Sequence, residues 1–136
     1  MPKNKQRAYF VREWVKRAED DEMNIKSVLT HRDGTPAYVC FLSQQMAEKY
    51  LKSLLLHVSG DYPKIHELTE LSAQLEPYFG AVAERMKDDT ALLTPYYVGT
   101  RYPADIPLES FTWELAEEAF AAVCRIKEFV LGKIKL

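Results

Sequence analysis

A chain of 136 residues that is 47% hydrophobic and 28% charged has the size and composition of one folded domain, spanning residues 1–136, rather than of a disordered protein. Its formal net charge of −2 excludes a general attraction to nucleic acid, so a site for RNA or nucleotide phosphate has to be a local basic patch. Two cysteines without CxxC spacing, no signal-peptide pattern and no run of about 18 apolar residues indicate a reduced, cytoplasmic protein that does not enter a membrane.

The first predicted element is a helix from Arg7 to about Thr30, because apolar residues recur in it at helical spacing. These apolar positions are Phe10, Trp14, Ala18, Ile25, Val28 and Leu29. The acidic run at residues 19–22 interrupts the pattern, and we expect most of it to form a solvated face. A turn at residues 31–34 separates this helix from the next.

A second helix is predicted from Pro36 to about Val58. Thr35 is suited to the N-cap, and a proline is well tolerated at the first helical position. Gly60, followed by Pro63, supplies the stop signal.

The rest of the chain is predicted to contain a short helix, two further long helices and one irregular stretch. The predicted elements are a short helix after His66 that Pro77 closes, a helix from Phe79 to Tyr97, an irregular segment over residues 99–107 with two prolines, and a final helix that Ser110 caps. No strand pattern competes with these helices, and tight turns join them. The predicted fold class is therefore all-α, an antiparallel up-down helical bundle of four main helices plus a short helix.

Two polar residues interrupt the apolar stripe of the second helix. Gln44 and Glu48 are one turn apart, so their side chains leave the same face and can reach a common partner. The alternative is that they lie at the edge of the stripe, or that Glu48 pairs with Lys52 four residues later.

Polar residues that could bind a ligand also occur outside the second helix. His66 stands at the start of the short helix, where it either takes part in a site or hydrogen-bonds backbone groups. Arg101, Tyr102 and Asp105 lie between glycine and proline residues, and an arginine in such a loop suits phosphate or carboxylate recognition. The alternative is a structural ion pair of this arginine, for example with Glu48.

The sequence contains no glycine-rich phosphate loop, no HExxH, no GxSxG and no CxxC pair. Its three histidines lack metal-ligand spacing to one another or to cysteine. We therefore expect no metal and no cofactor. The remaining candidates for a nucleotide or RNA surface are the basic Lys49, Lys52, Lys64 and Arg101 with the aromatic Tyr50, Tyr62 and Tyr102. The alternative for the lysines is a purely solubilising role.

Three sequence segments occur between a tryptophan-containing first helix and a long last helix. They are FLSQQMAEKYLKSLL at 41–55, KIHELTEL at 64–71 and TRYP at 100–103. In this order they resemble the HEPN domain family over nearly the whole chain. The resemblance implies a helical bundle, commonly a homodimer, in small prokaryotic proteins often encoded beside a minimal nucleotidyltransferase. Some members resemble nucleotide-binding modules, and others resemble metal-independent ribonucleases, including toxins of toxin–antitoxin pairs.

The ribonuclease motif of that family is an arginine followed, after four to six residues, by a histidine. Arg101 matches the arginine, but the three positions open to the histidine are isoleucine, proline and leucine, at 106–108. The group best suited to proton transfer near neutral pH is therefore missing from the motif.

The lost histidine favours a non-catalytic protein that binds a nucleotide or RNA phosphate, or that serves as the helical partner of a nucleotidyltransferase. Arg101 and the second-helix lysines are expected to contact phosphate, while Tyr102 stacks on a base or packs against the bundle. The alternatives are a ribonuclease toxin that uses Arg101 with His66 or Asp105, and a domain that acts only through protein contacts. The resemblance also favours an internal polar partner for Glu48, with Arg101 as the first candidate.

Overall fold

The computed structural model describes residues 3–99 and 106–134, and all regular secondary structure within these residues is helical. The α-helices are α1 (Lys3–His31), α2 (Pro36–Ser59), α3 (Leu68–Ala73), α4 (Glu76–Phe79), α5 (Val82–Arg85), α6 (Lys87–Leu93), α7 (Tyr96–Gly99) and α8 (Trp113–Lys133), with a 3-10 helix at Leu108–Ser110. The prediction of an all-α helical bundle is confirmed.

Helix α2 forms the centre of the bundle. It packs against α1 and α8 along its length and against α3, α6 and α7 on its remaining side. Its residues Val39, Met46, Leu51 and Leu54 have no exposed surface. A helix that is buried on most sides needs apolar residues around most of its circumference, as α2 has.

The ends of α2 follow the sequence prediction. The Thr35 side chain accepts a hydrogen bond from the backbone N–H of Tyr38, and Pro36 is the first helical residue. Gly60 ends the helix in the left-handed region, at φ 86°, and its N–H donates to the carbonyl of Leu56 at 2.9 Å. A side chain at this position would have a strained backbone at this positive φ and would displace the guanidinium of Arg7, so glycine suits the position.

The segment predicted as one helix from Phe79 to Tyr97 is instead broken into the short helices α5, α6 and α7. Gly80, at φ 75°, interrupts the chain before α5, and Pro95, which has no N–H to donate, separates α6 from α7. Pro77 does not close the short helix α3 but lies in the first turn of α4, a position that suits proline.

The last helix begins later than predicted. Ser110 belongs to the 3-10 turn, whereas Thr112 caps α8 by accepting a hydrogen bond from the N–H of Leu115 at 3.1 Å. Thr112 has the extended backbone that an N-cap adopts, with φ −108° and ψ 162°.

Half of the acidic run at residues 19–22 is buried, which contradicts its prediction as mainly a solvated face. Asp21 and Glu22 are 6% and 8% exposed, because this part of α1 faces the lysines of neighbouring helices. Asp21 pairs with Lys49 of α2 at 2.6 Å, and Glu22 pairs with Lys127 of α8 at 2.8 Å. The two pairs join the three longest helices of the described chain.

The two buried carboxyl groups have pKa values that shift in opposite directions. Burial raises the pKa of Asp21, and the hydrogen bond from Lys49 only partly offsets it. Burial also acts to raise the pKa of Glu22, but hydrogen bonds from Lys127 and Lys26 outweigh it and lower the pKa. The ion pairs of Glu22 therefore stabilise the fold while Glu22 is ionised.

Over the described parts of the chain, no helix combines the length and the apolar character that crossing a lipid bilayer demands.

The caps of α8 provide the first test. Thr112→Ala removes the acceptor for the Leu115 N–H and is expected to lower the free energy of unfolding by about 1 kcal/mol in urea denaturation. Ser110→Ala, two residues earlier, is the matched control and should change the free energy of unfolding by much less. A larger loss of stability for Ser110→Ala than for Thr112→Ala would contradict the assignment of Thr112 as the cap.

The pH dependence of stability tests the two buried carboxyl groups. Because the pKa of Glu22 is lowered below its ordinary 4.5, its stabilising contribution is present above that pH and is lost as the pH falls through the folded-state value. The stability advantage of the wild type over Glu22→Gln should therefore shrink on acidification below 4.5. The pKa of Asp21 is raised above 3.8. The free energy of unfolding of the wild type should therefore increase relative to that of Asp21→Asn as the pH falls towards 3.8. Urea denaturation across this pH range checks both slopes, and equal slopes would contradict the assignment.

Candidate functional site

Four polar residues meet where α2 passes the segment before α3. Three of them, Gln44, Glu48 and Lys52, succeed one another at four-residue intervals on one face of α2, and His66 approaches from the segment between α2 and α3. The Glu48 carboxylate accepts hydrogen bonds from the Gln44 amide at 3.2 Å and from the Lys52 ammonium at 3.0 Å. Nδ1 of His66 lies 3.0 Å and 3.1 Å from the two carboxylate oxygens.

The cluster is buried except at its histidine. Gln44 has no exposed surface, and Glu48 and Lys52 are 6% and 5% exposed. Burying a charged group is unfavourable unless it is paired and hydrogen-bonded, a condition that Glu48 and Lys52 meet for each other. Gln44 completes the cluster by donating a second hydrogen bond, at 3.0 Å, to the backbone carbonyl of His66.

Both sequence-based readings of the α2 residues describe part of this geometry. Gln44 and Glu48 do share a partner, His66, and Glu48 also pairs with Lys52 at i+4. The reading of Glu48 as a residue at the edge of the apolar stripe is wrong, because its carboxylate is buried. The imidazole of His66 bonds the Glu48 side chain rather than backbone groups.

The imidazole of His66 is the exposed part of the cluster. Its side chain is 48% exposed, and its ring stacks on Tyr97 of α7 with 4.1 Å between ring centroids and 13° between planes. An ionised carboxylate can only accept, so pairing with Glu48 assigns the proton of this hydrogen bond to Nδ1 of His66. The ring geometry directs Nε2 away from Glu48, and no described residue hydrogen-bonds to it.

The two α2 lysines predicted to contact ligand each have a carboxylate partner inside the protein. Lys52 bonds Glu48 within the cluster, and Lys49 bonds Asp21. Their ligand-binding role stays a prediction, and it requires Lys49 or Lys52 to exchange one anionic partner for another.

The predicted loop residues Arg101, Tyr102 and Asp105 lie outside the described residues. Within the described chain, the polar partners of Glu48 are therefore Gln44, Lys52 and His66. At position 106, one of those open to the motif histidine, Ile106 is half-buried against the hydrophobic core.

An aromatic groove on α1 is the part of the surface that sequence reasoning missed. Phe10, predicted to face the core, is 52% exposed, and Trp14 makes an edge-to-face contact with Tyr62 at 5.3 Å. The groove has a volume of about 440 Å³. It is lined by Tyr9, Phe10, Glu13, Trp14, Arg17, Lys49 and Tyr62. Alternation of basic and aromatic residues over 5–17 was the available signal, whereas the helical period alone assigned Phe10 to the core.

The cysteines and the potential metal ligands of the described residues are not clustered. Cys40 and Cys124 are free thiols, and burial raises the pKa of Cys40 to about 12. The same part of the chain contains no group of three His, Cys, Asp or Glu side chains placed to hold a metal ion.

Comparison with known proteins gives a consistent set of relatives. The family model for the HEPN domain matches residues 11–134. The crystal structure of TT1696 from Thermus thermophilus is 32% identical with a TM-score of 0.81, over 91% of this chain and 98% of that chain. The crystal structure of ST0689, an archaeal HEPN homologue, is 30% identical with a TM-score of 0.73, over 92% of this chain and 98% of that chain. No protein of curated function matches the chain.

The buried Glu48–Lys52 pair provides a test of the cluster. Glu48→Gln leaves a buried ammonium without a counter-charge and is expected to lower the free energy of unfolding by about 3 kcal/mol. Adding Lys52→Met removes that charge and should restore much of the loss. Urea denaturation measures both variants, with the exposed Glu128→Gln of α8 as the control. A loss below about 1 kcal/mol for Glu48→Gln would show that the Glu48–Lys52 pair contributes no more than a surface salt bridge.

Proposed function

This chain belongs to the HEPN domain family, and we propose that it binds RNA or nucleotide phosphate through His66, oriented by Glu48, together with Arg101. The observation that carries this proposal is the half-exposed imidazole of His66, whose Nδ1 contacts a buried carboxylate while Nε2 has no hydrogen bond to a described residue. A histidine fixed in this way offers one nitrogen to a ligand without having to be ordered at the moment of binding.

The charge of the cluster suits a phosphate that binds at its exposed edge. Glu48 is neutralised by Lys52 in the interior, so a protonated His66 adds a positive charge at the surface. Nε2–H is then a charge-assisted donor to a phosphate oxygen. Arg101 follows Tyr97, the stacking partner of His66, by four residues in the sequence. We propose that its guanidinium supplies the second, bidentate contact.

A ribonuclease is the second candidate, and the Glu48–His66 pair is the observation that favours it. Metal-independent RNA cleavage needs a base for the 2′-hydroxyl proton and an acid for the leaving oxygen. A carboxylate that holds Nδ1 of a histidine orients the opposite nitrogen for such proton transfer. Under this alternative His66 replaces the histidine that the family motif lacks, with Arg101 or Asp105 as its partner.

Binding measurements on His66 variants test the main proposal. His66→Ala is expected to weaken the binding of a short RNA or of ATP on the order of tenfold, since it removes one charge-assisted hydrogen bond. Anisotropy of a labelled RNA and calorimetry with ATP and GTP, each at two salt concentrations, provide the affinities. His31→Ala, which removes an exposed histidine from the last turn of α1, is the control.

The same variants separate binding from catalysis. Incubation of RNA with the protein in EDTA should leave the RNA intact if the protein only binds, whereas a ribonuclease would produce ends with 2′,3′-cyclic phosphate. Cleavage that disappears in both His66→Ala and Arg101→Ala would favour the enzyme. Absence of binding at low salt by wild-type protein would discard the proposal of a phosphate ligand.

We further propose the associations that the family resemblance implies, a homodimer and a nucleotidyltransferase-domain partner. Light scattering during size-exclusion chromatography tests the dimer, and a monomer at micromolar concentration would contradict it. Purification from the native host tests whether a nucleotidyltransferase remains bound, as expected if the chain acts as its helical partner within a toxin–antitoxin pair.

A further inference from the structure

The N-terminal half of α1 carries a charge opposite to that of the whole protein. Residues 3–17 contain six basic residues and one acidic residue, a net charge of +5, although the full chain has a net charge of −2. The remaining residues therefore have a net charge of −7. The basic residues are Lys3, Lys5, Arg7, Arg12, Lys16 and Arg17, and the acidic residue is Glu13. Such a segment is a local attraction site for a polyanion on an otherwise acidic molecule.

Two of these cations remain open to an external partner. Glu13 accepts a hydrogen bond from Tyr9 and lies 3.9 Å from Lys16. Among the described residues, neither Arg12 nor Arg17 has a carboxylate within ion-pair distance, and both are exposed. Arg17 also lines the aromatic groove.

The aromatic residues between these cations are unusually accessible. Tyr9 and Phe10 are 44% and 52% exposed, and their rings meet edge to face at 5.2 Å. Trp14 and Tyr62 form a second edge-to-face pair beside them. The groove volume of about 440 Å³ lies within the range of about 300–1,000 Å³ typical of small-molecule sites. Accessible rings in a groove that Arg17 also lines match the chemistry that binds unpaired bases and their phosphates.

A short series of contacts connects this groove with the His66 cluster. The Lys52 ammonium lies 5.8 Å from the centre of the Tyr62 ring and 3.0 Å from the Glu48 carboxylate that holds His66. Lys49 lines the groove one residue after Glu48 on α2. Tyr62 therefore belongs to the groove and also lies beside a member of the His66 cluster.

We infer that the α1 groove binds unpaired bases of single-stranded RNA, which stack on Phe10 and Trp14 while Arg17 contacts the adjoining phosphate. This inference rests on the proposed function for RNA as the ligand, and it specifies single strands rather than duplex. In a duplex the bases are stacked on one another and cannot enter a ring-lined groove. The negative charge of the rest of the protein opposes flat contact with an anionic membrane, so a membrane surface is the less favoured partner.

Binding of a labelled oligouridine tests the groove. Trp14→Leu is expected to weaken binding on the order of tenfold through lost stacking, and Phe10→Ser should act in the same direction. Arg17→Gln should reduce the slope of log K against log salt by about 0.7, the value for one phosphate contact on a single strand. Matched controls outside the groove are Trp113→Leu, Tyr38→Ser and Lys87→Gln, which alter a half-buried tryptophan, an exposed tyrosine and an exposed cation.

Tryptophan fluorescence provides a direct readout of stacking. Trp113→Phe leaves Trp14 as the remaining tryptophan of the chain, since the sequence contains two. Oligouridine should quench this emission at saturation, whereas duplex RNA of the same length should leave it unchanged. Circular dichroism of each variant separates loss of binding from loss of fold.

Mononucleotide binding distinguishes failure of the groove from failure of the His66 site. Groove variants should weaken oligouridine binding but leave binding of uridine monophosphate unchanged, while His66→Ala should weaken both. If His66→Ala has no effect and the groove variants still weaken oligouridine, the proposed function fails and the groove stands. Unchanged oligouridine affinity in Trp14→Leu and Arg17→Gln, or tighter binding to phosphatidylserine vesicles than to oligouridine, would overturn the inference. If oligothymidine binds as tightly as oligouridine, the groove does not distinguish single-stranded RNA from single-stranded DNA, and the restriction to RNA is wrong.

Discussion

The carboxylate of Glu48 constrains the rest of the structure, because it is buried on the central helix of the bundle. A buried charge is tolerated only where donors surround it, and here the amide, ammonium and imidazole of three other residues do so. Two of those donors share the face of α2 with Glu48, so the helix supplies most of its own neutralisation. The third donor, His66, has to come from another segment. The chain between α2 and α3 is therefore fixed against α2 by polar contacts as well as by apolar packing.

Charge is distributed over the molecule in two different ways. In the interior, Asp21, Glu22 and Glu48 each meet a lysine, so burial and neutralisation go together. At the surface of α1, arginines and aromatic rings lie side by side without such partners among the described residues. Internal pairs specify how helices dock, whereas unpaired surface cations are available for association. Membership of the HEPN family shows the fold of this chain. The difference in pairing distinguishes charges that hold helices together from surface charges that are open to a partner.

The sequence predicted those features that depend on local backbone chemistry. Thr35, Pro36 and Gly60 bound α2 as expected, since caps depend on neighbouring residues only. Periodicity failed where tertiary contacts decide the outcome. It predicted that Phe10 is buried and that most of the acidic run is exposed. Periodicity identifies a helix face but not the residues of other helices that pack against it. The Gln44–Glu48 spacing predicted a shared partner, but the identity of that partner required the approach of His66 from another segment. The apolar pattern continued through Pro95 and so predicted one helix, although proline within such a pattern is itself a signal of a helix break.

The broken region from α4 to α7 has a consequence for local stability. Isolated helices shorter than about 12 residues are marginal in water, so these short helices depend on packing for their order. Helix α4 packs against α5, α5 against α3 and α6, α6 against α2 and α8, and α7 against α2. Their free energy of local opening is therefore lower than that of the three long helices, and their amide protons should exchange sooner. Tyr97 belongs to this region, while its stacking partner His66 is tied to the more stable α2. Subglobal unfolding can thus uncover one face of the imidazole while the carboxylate below keeps it in place.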